Sequence, residues 1–318
     1  KGLTESTLDG WFKKTVELLK PLYEELKWEV FSCDYVQADE TTVPVINREK
    51  HRADKEYLWM VRSVMEKLVI FHYDGGSRAG AVIESLANHY HFKGYLQCDG
   101  FAGYETAFKT NPDVRLLNCL VHIRRHFEQA LDENREMAQH ALTQIQHIYK
   151  IERQCDEAGL SYDERRQTRQ ELSRPIMEAM KVWMETEGIK YSPGSLTGKA
   201  ITYAYTKWDN IMRCLDDGRL YWDNNLAENV QRPITLSRKN FLFCGNHEAA
   251  VNMSVICSLL ATCKAHGVNP RVYLNDVIAQ MPYHKKATQE ELLNLLPHKW
   301  KLKHPECVLT RQKEESCN

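Results

Sequence analysis

Two aspartates each follow a run of apolar and β-branched residues that is typical of a strand. Asp39 lies in the sequence Ala-Asp-Glu-Thr and Asp99 in Cys-Asp-Gly, so both are predicted to lie at strand ends. In open α/β folds ligands bind beyond the carboxyl ends of the strands, and two acids on neighbouring strands could hold one hard cation. A single aspartate in this position is more often an ordinary turn residue, so neither acid alone indicates a site.

A third acid, Glu228, lies in the run Asp223-Asn-Asn-Leu-Ala-Glu-Asn, whose polar start is typical of a helix N-terminus. We therefore expect a helix over residues 225–231. On such a helix Glu228 and Arg232 share a face one turn apart, because side chains four positions apart are neighbours. The two residues form either an ordinary surface ion pair or part of a site in which basic groups surround the glutamate.

Three carboxylates brought together by a fold have a definite chemistry. Asp39, Asp99 and Glu228 could bind two divalent ions roughly 3.5–4 Å apart, which activate an attacking oxygen and stabilise a leaving oxygen in phosphoryl transfer. Mg²⁺, or Mn²⁺ in its place, suits such a site because it prefers oxygen ligands and keeps water and substrate phosphates in its coordination shell. The sequence thus indicates a candidate site for two metal ions.

The elements that must position these acids begin with a helix and several β-rich runs. An amphipathic helix with a kink at Pro21 is predicted over residues 8–27, because apolar residues recur there at three- and four-residue steps. β-rich runs follow at residues 30–38, 42–46, 57–64, 68–73, 94–100 and 114–121, with a hairpin loop at 47–56 and helices at 78–89 and 104–110. This order predicts a mixed sheet flanked by helices, which is an α/β fold.

The remainder of the chain has a helical pattern. Between residues 122 and 215 the β pattern disappears and apolar residues recur at helical spacing, which predicts an all-helical insertion after the sheet. The elements expected next are the helix over 225–231, a loop through Gly245, a long apolar helix over 249–266 and a helix that begins at Asn269. Beyond Gln280 the sequence is Lys-rich and weakly patterned.

Composition limits the class of protein. The chain has 318 residues, 43% hydrophobic and 27% charged, which is enough for at least one sizeable core. Its formal charge of −1 lacks the strongly basic balance of a protein that coats nucleic acid, so any contact with a polyanion must be local. No segment has the roughly 20 apolar residues of a membrane span. Ten widely spaced cysteines fit free thiols in a reducing cytoplasm, and Lys1 in place of Met suggests that the natural start is missing.

Six blocks of the sequence resemble those of the bacterial insertion-sequence 66 transposases. In chain order they are Ala-Asp39-Glu-Thr, Cys-Asp99-Gly-Phe-Ala-Gly-Tyr104, Cys119-Leu-Val-His122-Ile-Arg124-Arg125-His-Phe127, Asp223-Asn-Asn-Leu-Ala-Glu228, Arg232-Pro233 and Ser-Arg238-Lys239-Asn240-Phe-Leu-Phe243. The resemblance extends from about residue 1 to residue 300.

The resemblance implies a DDE-type recombinase with a ribonuclease-H-like catalytic core, whose metal-binding triad is Asp39, Asp99 and Glu228. It implies double-stranded DNA as the partner, both transposon ends and target, with a homo-oligomer that is a dimer on DNA, a bacterial cytoplasmic location and no membrane. The family's DNA-binding segments lie upstream and are expected to be mostly missing here. The implied segments are an N-terminal helix left from that region (1–28), a first core part (29–122), the helical insertion (123–215), a second core part (216–280) and a C-terminal tail (281–318).

Residues beside the triad are expected to support it. We expect DNA-binding or supporting roles for His122, Arg124, Arg125, Arg232, Arg238 and Lys239, and a structural role for Cys119. Arg124 and Arg125 could equally be solvated charges on a helix surface. Where the family commonly has an aromatic residue, a basic residue and an arginine, this sequence has Leu120, His126 and Asn229, which affects expected DNA contacts more than the chemistry.

Other residues have two interpretations. Cys119 and His122 could join Cys263 and His266 in a Cys₂His₂ zinc site, although buried cysteines are usually small hydrophobes. Three tryptophans in or beside the helical block could stack on bases, but at this spacing they are more often core: Trp183, Trp208 and Trp222. Three arginines lie among acidic residues and are expected on a solvated face: Arg165, Arg166 and Arg169.

Three functions fit these observations to different degrees. The leading hypothesis is a DNA transposase, in which water cuts the element's ends and the freed 3′-hydroxyl then attacks target DNA. A nuclease or RNA-processing hydrolase could use the same metal site, because that site does not dictate what attacks next. A non-catalytic DNA-binding protein derived from a transposase ranks last, because all three triad acids are present.

Overall fold

A computed structural model describes residues 4–284 and 286–309, without the side chains of residues 237–239 and 241. The chain begins with helix α1 (Glu5–Phe31), a hairpin of strands β1 (Tyr35–Asn47) and β2 (Arg52–Ser63), strand β3 (Val69–His72) and helix α2 (Ala81–His89). The hairpin prediction is confirmed, but β2 begins earlier than predicted, so the turn is shorter.

Helix α1 is longer than predicted and continues through Pro21. Val30 and Phe31, which the β-rich pattern assigned to a strand, form its last turn. Leu22, Leu26 and Val30 follow one another at four-residue steps and are all fully buried. Continuing the helix therefore places Val30 on the same buried face, and this burial outweighs the β propensity of the two residues.

Strand β1 is continuous and carries Asp39 within it. The prediction that a strand ends at Asp39 and another begins at Thr42 is wrong. The antiparallel ladder with β2 extends from Val36 to Asn47, and Asp39 lies opposite Met60. Because the backbone hydrogen bonds of this ladder continue without interruption on both sides of Asp39, β1 passes the acid without a turn.

The middle of the chain follows the predicted order. The next elements are β4 (Gly94–Cys98), α3 (Ala102–Phe108), β5 (Val114–Asn118), α4 (Leu120–Ala130), α5 (Arg135–Glu157), α6 (Tyr162–Thr168), α7 (Arg174–Gly188) and α8 (Leu196–Met212). A π-helical turn, Arg169–Ser173, joins α6 to α7, and a 3₁₀ turn, Arg213–Leu215, follows α8. The helical character predicted for residues 122–215 is confirmed.

The last part of the chain contains more helix than predicted. Its helices are α9 (Asn225–Phe241), α10 (His247–Ala265), α11 (Pro270–Gln280), α12 (Gln289–Leu293) and α13 (Pro297–Lys303). Helix α9 continues through Pro233 where a loop was expected, because Ile234 lies in the core beyond it. The weakly patterned tail is also partly helical: Thr288 and Glu291 form a capping box at the start of α12, and Trp300 of α13 is buried.

The five strands of the described residues form one mixed sheet in the order β3-β2-β1-β4-β5. The described residues divide into two compact units, the first made of residues up to 94, 103–114 and those from 225 onward, and the second of 95–102 and 115–224. In the first unit α10 packs on β3 and α1, while α9 packs on β1 and β2. In the second unit α4 packs against α5 and α8.

Candidate active site

Asp39 is half-buried and its carboxylate is oriented by its own strand. Its Oδ1 atom accepts a hydrogen bond from the Glu40 amide at 2.9 Å. Side chains alternate along a strand, so Asp39 shares its face of β1 with Gln37, Val43 and Val45, whereas Glu40 projects from the opposite face. The side chains of Asp39 and Glu40 therefore lie on opposite faces of β1.

Glu40 has a buried carboxylate in an ion pair with an exposed arginine, which the sequence pattern did not indicate. Its side chain is only 2% exposed. Its Oε1 atom accepts hydrogen bonds from Nε and Nη2 of Arg78 at 2.9 and 2.7 Å, and its Oε2 atom accepts one from the Tyr104 hydroxyl at 3.1 Å. A buried carboxylate needs such partners. Glu40 thus fixes this part of β1 from the face opposite Asp39, through partners distant in sequence.

Glu228 lies on the first turn of α9, which is tied to the sheet by two side chains. The amide oxygen of Gln37 accepts a hydrogen bond from the Ala227 backbone amide at 3.1 Å. Nη1 of Arg62 donates to the Leu226 carbonyl at 3.3 Å. Both tied residues immediately precede Glu228, which is half-buried. Sequence reasoning missed Gln37 and Arg62.

The same helix covers the face of the sheet from which Asp39 projects. Ala227 and Ile234 of α9 belong to one buried cluster with Val43 of β1 and Met60 of β2. Val43 shares the face of Asp39, and Met60 lies opposite Asp39 on the neighbouring strand. Asp39 and Glu228 are therefore carried by packed elements of a single unit.

Asp99 directly follows β4, so the strand-end prediction is confirmed for this acid. Its Oδ1 atom accepts a hydrogen bond from the Phe101 amide at 2.8 Å, which forms a local turn. Nδ2 of the buried Asn118 donates to the Asp99 carbonyl at 2.8 Å, and Oδ1 of Asn118 accepts from Nδ2 of Asn210 on α8 at 2.9 Å. Asn118 and Asn210 thus link the position of Asp99 to the helical segment of the second unit.

The three acids have the donor chemistry that Mg²⁺ or Mn²⁺ requires. Each offers carboxylate oxygens on a half-buried side chain, which a cation could reach. Asp39 and Glu228 belong to the first unit and Asp99 to the second, so the meeting of all three stays a prediction. Within the described residues, no group of three or more His, Cys, Asp or Glu side chains is arranged to hold a metal ion.

The supporting residues after β5 lie on α4, in the second unit. His122 is half-buried, and both Arg124 and Arg125 are exposed. Nε of Arg124 pairs with Oε1 of Glu128 at 2.9 Å, one helical turn away. An exposed pair of this kind is worth well under about 1 kcal/mol. Phosphate contact by any of these residues stays a prediction.

Cys119 is buried beside the start of α4. Burial raises the pKa of its thiol to about 12, with smaller opposing effects of hydrogen bonds from neighbouring backbone amides. Burial also raises the pKa of the Cys263 thiol. Because the thiolate is the form that binds zinc, both environments favour cysteine as a small hydrophobe. The structural role of Cys119 stays a prediction.

The basic residues predicted after Glu228 lie on α9 rather than in a loop. Arg232 is exposed one turn beyond Glu228. The side chains of Arg238 and Lys239 lie outside the described residues, so their predicted DNA contacts stay predictions.

Arg169 is the clearest correction to the predicted surface charges. It was expected on a solvated face, but its side chain is 2% exposed. Its Nε and Nη2 atoms donate to Oε1 and Oε2 of Glu152 at 2.7 and 2.8 Å, and its Nη1 atom donates to the carbonyls of Cys214 and Asp217 at 2.9 and 3.0 Å. Arg169 is therefore a buried link between α5, the π turn and the segment after α8.

Two of the three tryptophans in or beside the helical segment follow the core interpretation. Trp208 and Trp222 are buried, and Nε1 of Trp208 donates to the Met177 carbonyl at 3.0 Å. Trp183 is half-buried, with its ring 4.7 Å from that of His140. Among the described helices, none has both the length and the apolar character needed to cross a membrane.

Comparison with known proteins identifies the family. Residues 2–252 match the family described as Transposase IS66 family, and residues 258–298 match the one described as IS66 C-terminal element. Among curated proteins of Sinorhizobium fredii, the uncharacterised proteins y4hP, y4jD and y4qI are 28%, 29% and 28% identical over 321, 313 and 306 residues. These alignments cover 94%, 94% and 92% of this chain but only 56%, 60% and 56% of the relatives. Because the family match extends over most of its length, the chain belongs to the IS66 transposase family.

Proposed function

We propose that this chain is the catalytic part of a DDE-type DNA transposase with a ribonuclease-H-like core. The proposed reaction is metal-dependent cleavage of transposon ends, followed by transfer of the 3′-hydroxyl into target DNA. Asp39, Asp99 and Glu228 are the proposed catalytic, metal-binding residues. The proposed partners are transposon-end and target DNA and a second copy of the chain, in a bacterial cytoplasm. Since the chain spans little more than half of its curated relatives, further DNA contacts could come from sequence outside it.

One observation supports this proposal above the others. Helix α9 packs on the β1 face of Asp39, and its first turn, which carries Glu228, is tied to β1 and β2 by Gln37 and Arg62. The first-turn amide of Ala227 needs an acceptor from outside the helix in any fold, and here the sheet supplies it directly beside an acid. The arrangement is what a site requires if two carboxylates from separate elements must keep a fixed relation.

The acids have distinct tasks in the proposed reaction. Two divalent cations, when bound, would activate the attacking oxygen and stabilise the leaving oxygen. Asp39 and Asp99 would hold the ions with carboxylates already oriented by the amides of Glu40 and Phe101. Glu228 would complete the oxygen ligands from α9. The half-buried His122 and the exposed Arg124, Arg125 and Arg232, with Arg238 and Lys239, would hold phosphates of the DNA.

Substitution of Glu228 by glutamine tests the assignment. Glu228→Gln keeps shape and hydrogen-bonding capacity but removes the charge, so Mg²⁺-dependent cleavage and strand transfer should be lost while the melting temperature and DNA binding stay close to wild type. The substrate is a double-stranded oligonucleotide carrying the terminal repeat of the element that encodes the chain. Glu248→Gln is a matched control, because Glu248 is an exposed glutamate of α10 in the same unit. Near-full activity of Glu228→Gln would contradict the role given to Glu228.

A second assay separates the transposase from a nuclease on the same scaffold. The chain is given pre-cut ends with free 3′-hydroxyls, together with a circular target plasmid and Mg²⁺. Joining of the ends to the plasmid is expected for a transposase. Nicking of DNA without joined products would instead favour the nuclease, because the metal site alone does not select the nucleophile.

A further inference from the structure

The first turn of α9 is capped by the sheet rather than by its own sequence neighbours alone. The amides at the start of a helix have no acceptor within the helix. The Ala227 amide is one of these, and its acceptor is the side chain of Gln37, which lies 190 residues away along the chain. Gln37 is fully buried, where an amide without hydrogen bonds would be costly.

Gln37 does not act alone, because its partner across the ladder holds the adjacent residue. Arg62 lies directly opposite Gln37 in the antiparallel pairing of β1 and β2. Side chains opposite each other in such a pair project from the same face of the sheet. Gln37 holds the amide of Ala227 and Arg62 the carbonyl of Leu226, so the pair holds consecutive residues of one helical turn.

Gln37 and the residues that it and Arg62 hold lie directly beside two of the candidate acids. Gln37 precedes Asp39 by two residues and therefore shares its face of β1. The residues held on α9 are the two that immediately precede Glu228. A change at Gln37 would therefore shift the start of the Glu228 helix relative to the strand that carries Asp39.

We propose that Gln37 and Arg62 are positioning residues that hold the first turn of α9 so that Glu228 can share a metal site with Asp39. The inference rests on the proposed function. Substitution of a residue that holds a metal ligand in place typically lowers metal affinity or activity by roughly 10- to 100-fold. Gln37→Leu, which removes the acceptor at similar size, should raise the Mg²⁺ concentration for half-maximal cleavage by roughly that factor.

The test needs a readout that does not depend on catalysis. Hydrogen–deuterium exchange of residues 225–228 in the full chain without metal should become faster in Gln37→Leu, because the Ala227 amide loses its acceptor. Gln37→Glu keeps an acceptor oxygen at that position and should restore protection and most of the metal affinity. Thr262→Val is the matched control, since Thr262 joins α10 to the Val69 backbone in the same unit, through a buried side chain.

The outcomes separate the positioning role from general structural support and from the proposed function. Unchanged hydrogen exchange at residues 225–228 in Gln37→Leu would refute the hydrogen bond between Gln37 and the Ala227 amide. Equal increases in the Mg²⁺ requirement for Gln37→Leu and Thr262→Val would refute the positioning role. A cleaving wild-type chain with an unchanged Mg²⁺ requirement in Gln37→Leu would refute that role alone. A wild-type chain without Mg²⁺-dependent cleavage would refute the proposed function, and the positioning role with it.

Discussion

Removal of the Arg169 side chain should destabilise the second unit more than any comparable change on the surface of the same segment. Arg169→Met keeps much of the apolar stem but removes the guanidinium, which makes two hydrogen bonds to Glu152 and two to backbone carbonyls. Burial would raise the pKa of Glu152, but the hydrogen bonds and charge of Arg169 outweigh it and hold that pKa below its ordinary value. Without Arg169 the buried carboxylate loses its main partner.

The size of the effect follows from what remains around Glu152. Breaking a buried ion pair by removing one partner typically costs about 3–5 kcal/mol, because the other charge is left buried. Arg165 still donates to Oε2 of Glu152 at 2.9 Å, so we expect a loss near the lower limit, about 3 kcal/mol. The double variant Glu152→Leu/Arg169→Met removes both charges and should lose less than Arg169→Met alone.

Urea unfolding followed by hydrogen exchange in helices α5 to α8 measures this loss in the unit concerned. Arg166→Met is the control, because Arg166 is exposed three residues away and its replacement should change the free energy of unfolding by less than about 0.5 kcal/mol. If Arg169→Met unfolded within about 1 kcal/mol of wild type, or if Arg166→Met lost as much, the buried ion pair would not have the role assigned to it.

Three further predictions concern pH, backbone and DNA. Burial lowers the pKa of His72 to about 4, so the unfolded chain binds a proton at a higher pH than the folded chain does. Up to about 3 kcal/mol of the free energy of unfolding should therefore be lost between about pH 6.5 and 4. His72→Phe should flatten that part of a curve of stability against pH. Gly94 has φ +142°, and a Cβ there would lie 2.1 Å from a backbone carbonyl oxygen, so Gly94→Ala should lower the melting temperature. Gly10→Ala is the control and should raise the melting temperature slightly, because Gly10 lies in an open position of α1. Arg125→Gln should weaken DNA binding and reduce its salt dependence by about one phosphate contact, whereas Arg124→Gln, already paired in the free protein, should do less; equal effects in a filter-binding salt titration would contradict this difference.

Local sequence patterns predicted secondary structure correctly where a segment's contacts are near it in sequence, or where one face of the element is buried and the other is exposed. The helical spacing after Val121 predicted the helical segment, and the strand before Asp99 ends where its pattern ends. The pattern was wrong at Asp39, where acidic and threonine residues resemble a turn. The strand continues there because the ladder with β2 is unbroken and because Arg78, 38 residues away, neutralises the neighbouring Glu40. Neither cause has a local signature.

The candidate site also combines residues with a local signature and residues without one, as the surroundings of Asp39 in β1 and of Asp99 directly after β4 show. Gln37 precedes Asp39 by two residues, and Gln97 precedes Asp99 by two; both glutamines are fully buried. In its own unit each binds backbone far along the chain, Gln37 the Ala227 amide and Gln97 the Tyr221 carbonyl at 2.7 Å. The side-chain amide of each buried glutamine has its hydrogen-bond partner only when the distant segment is folded against its strand. The surroundings of each acid therefore form only when that later part of the chain has folded. The candidate acids could be proposed from residue type and spacing. The groups beside them could be recognised only once the fold had brought partners 190 and 124 residues apart into hydrogen-bond distance.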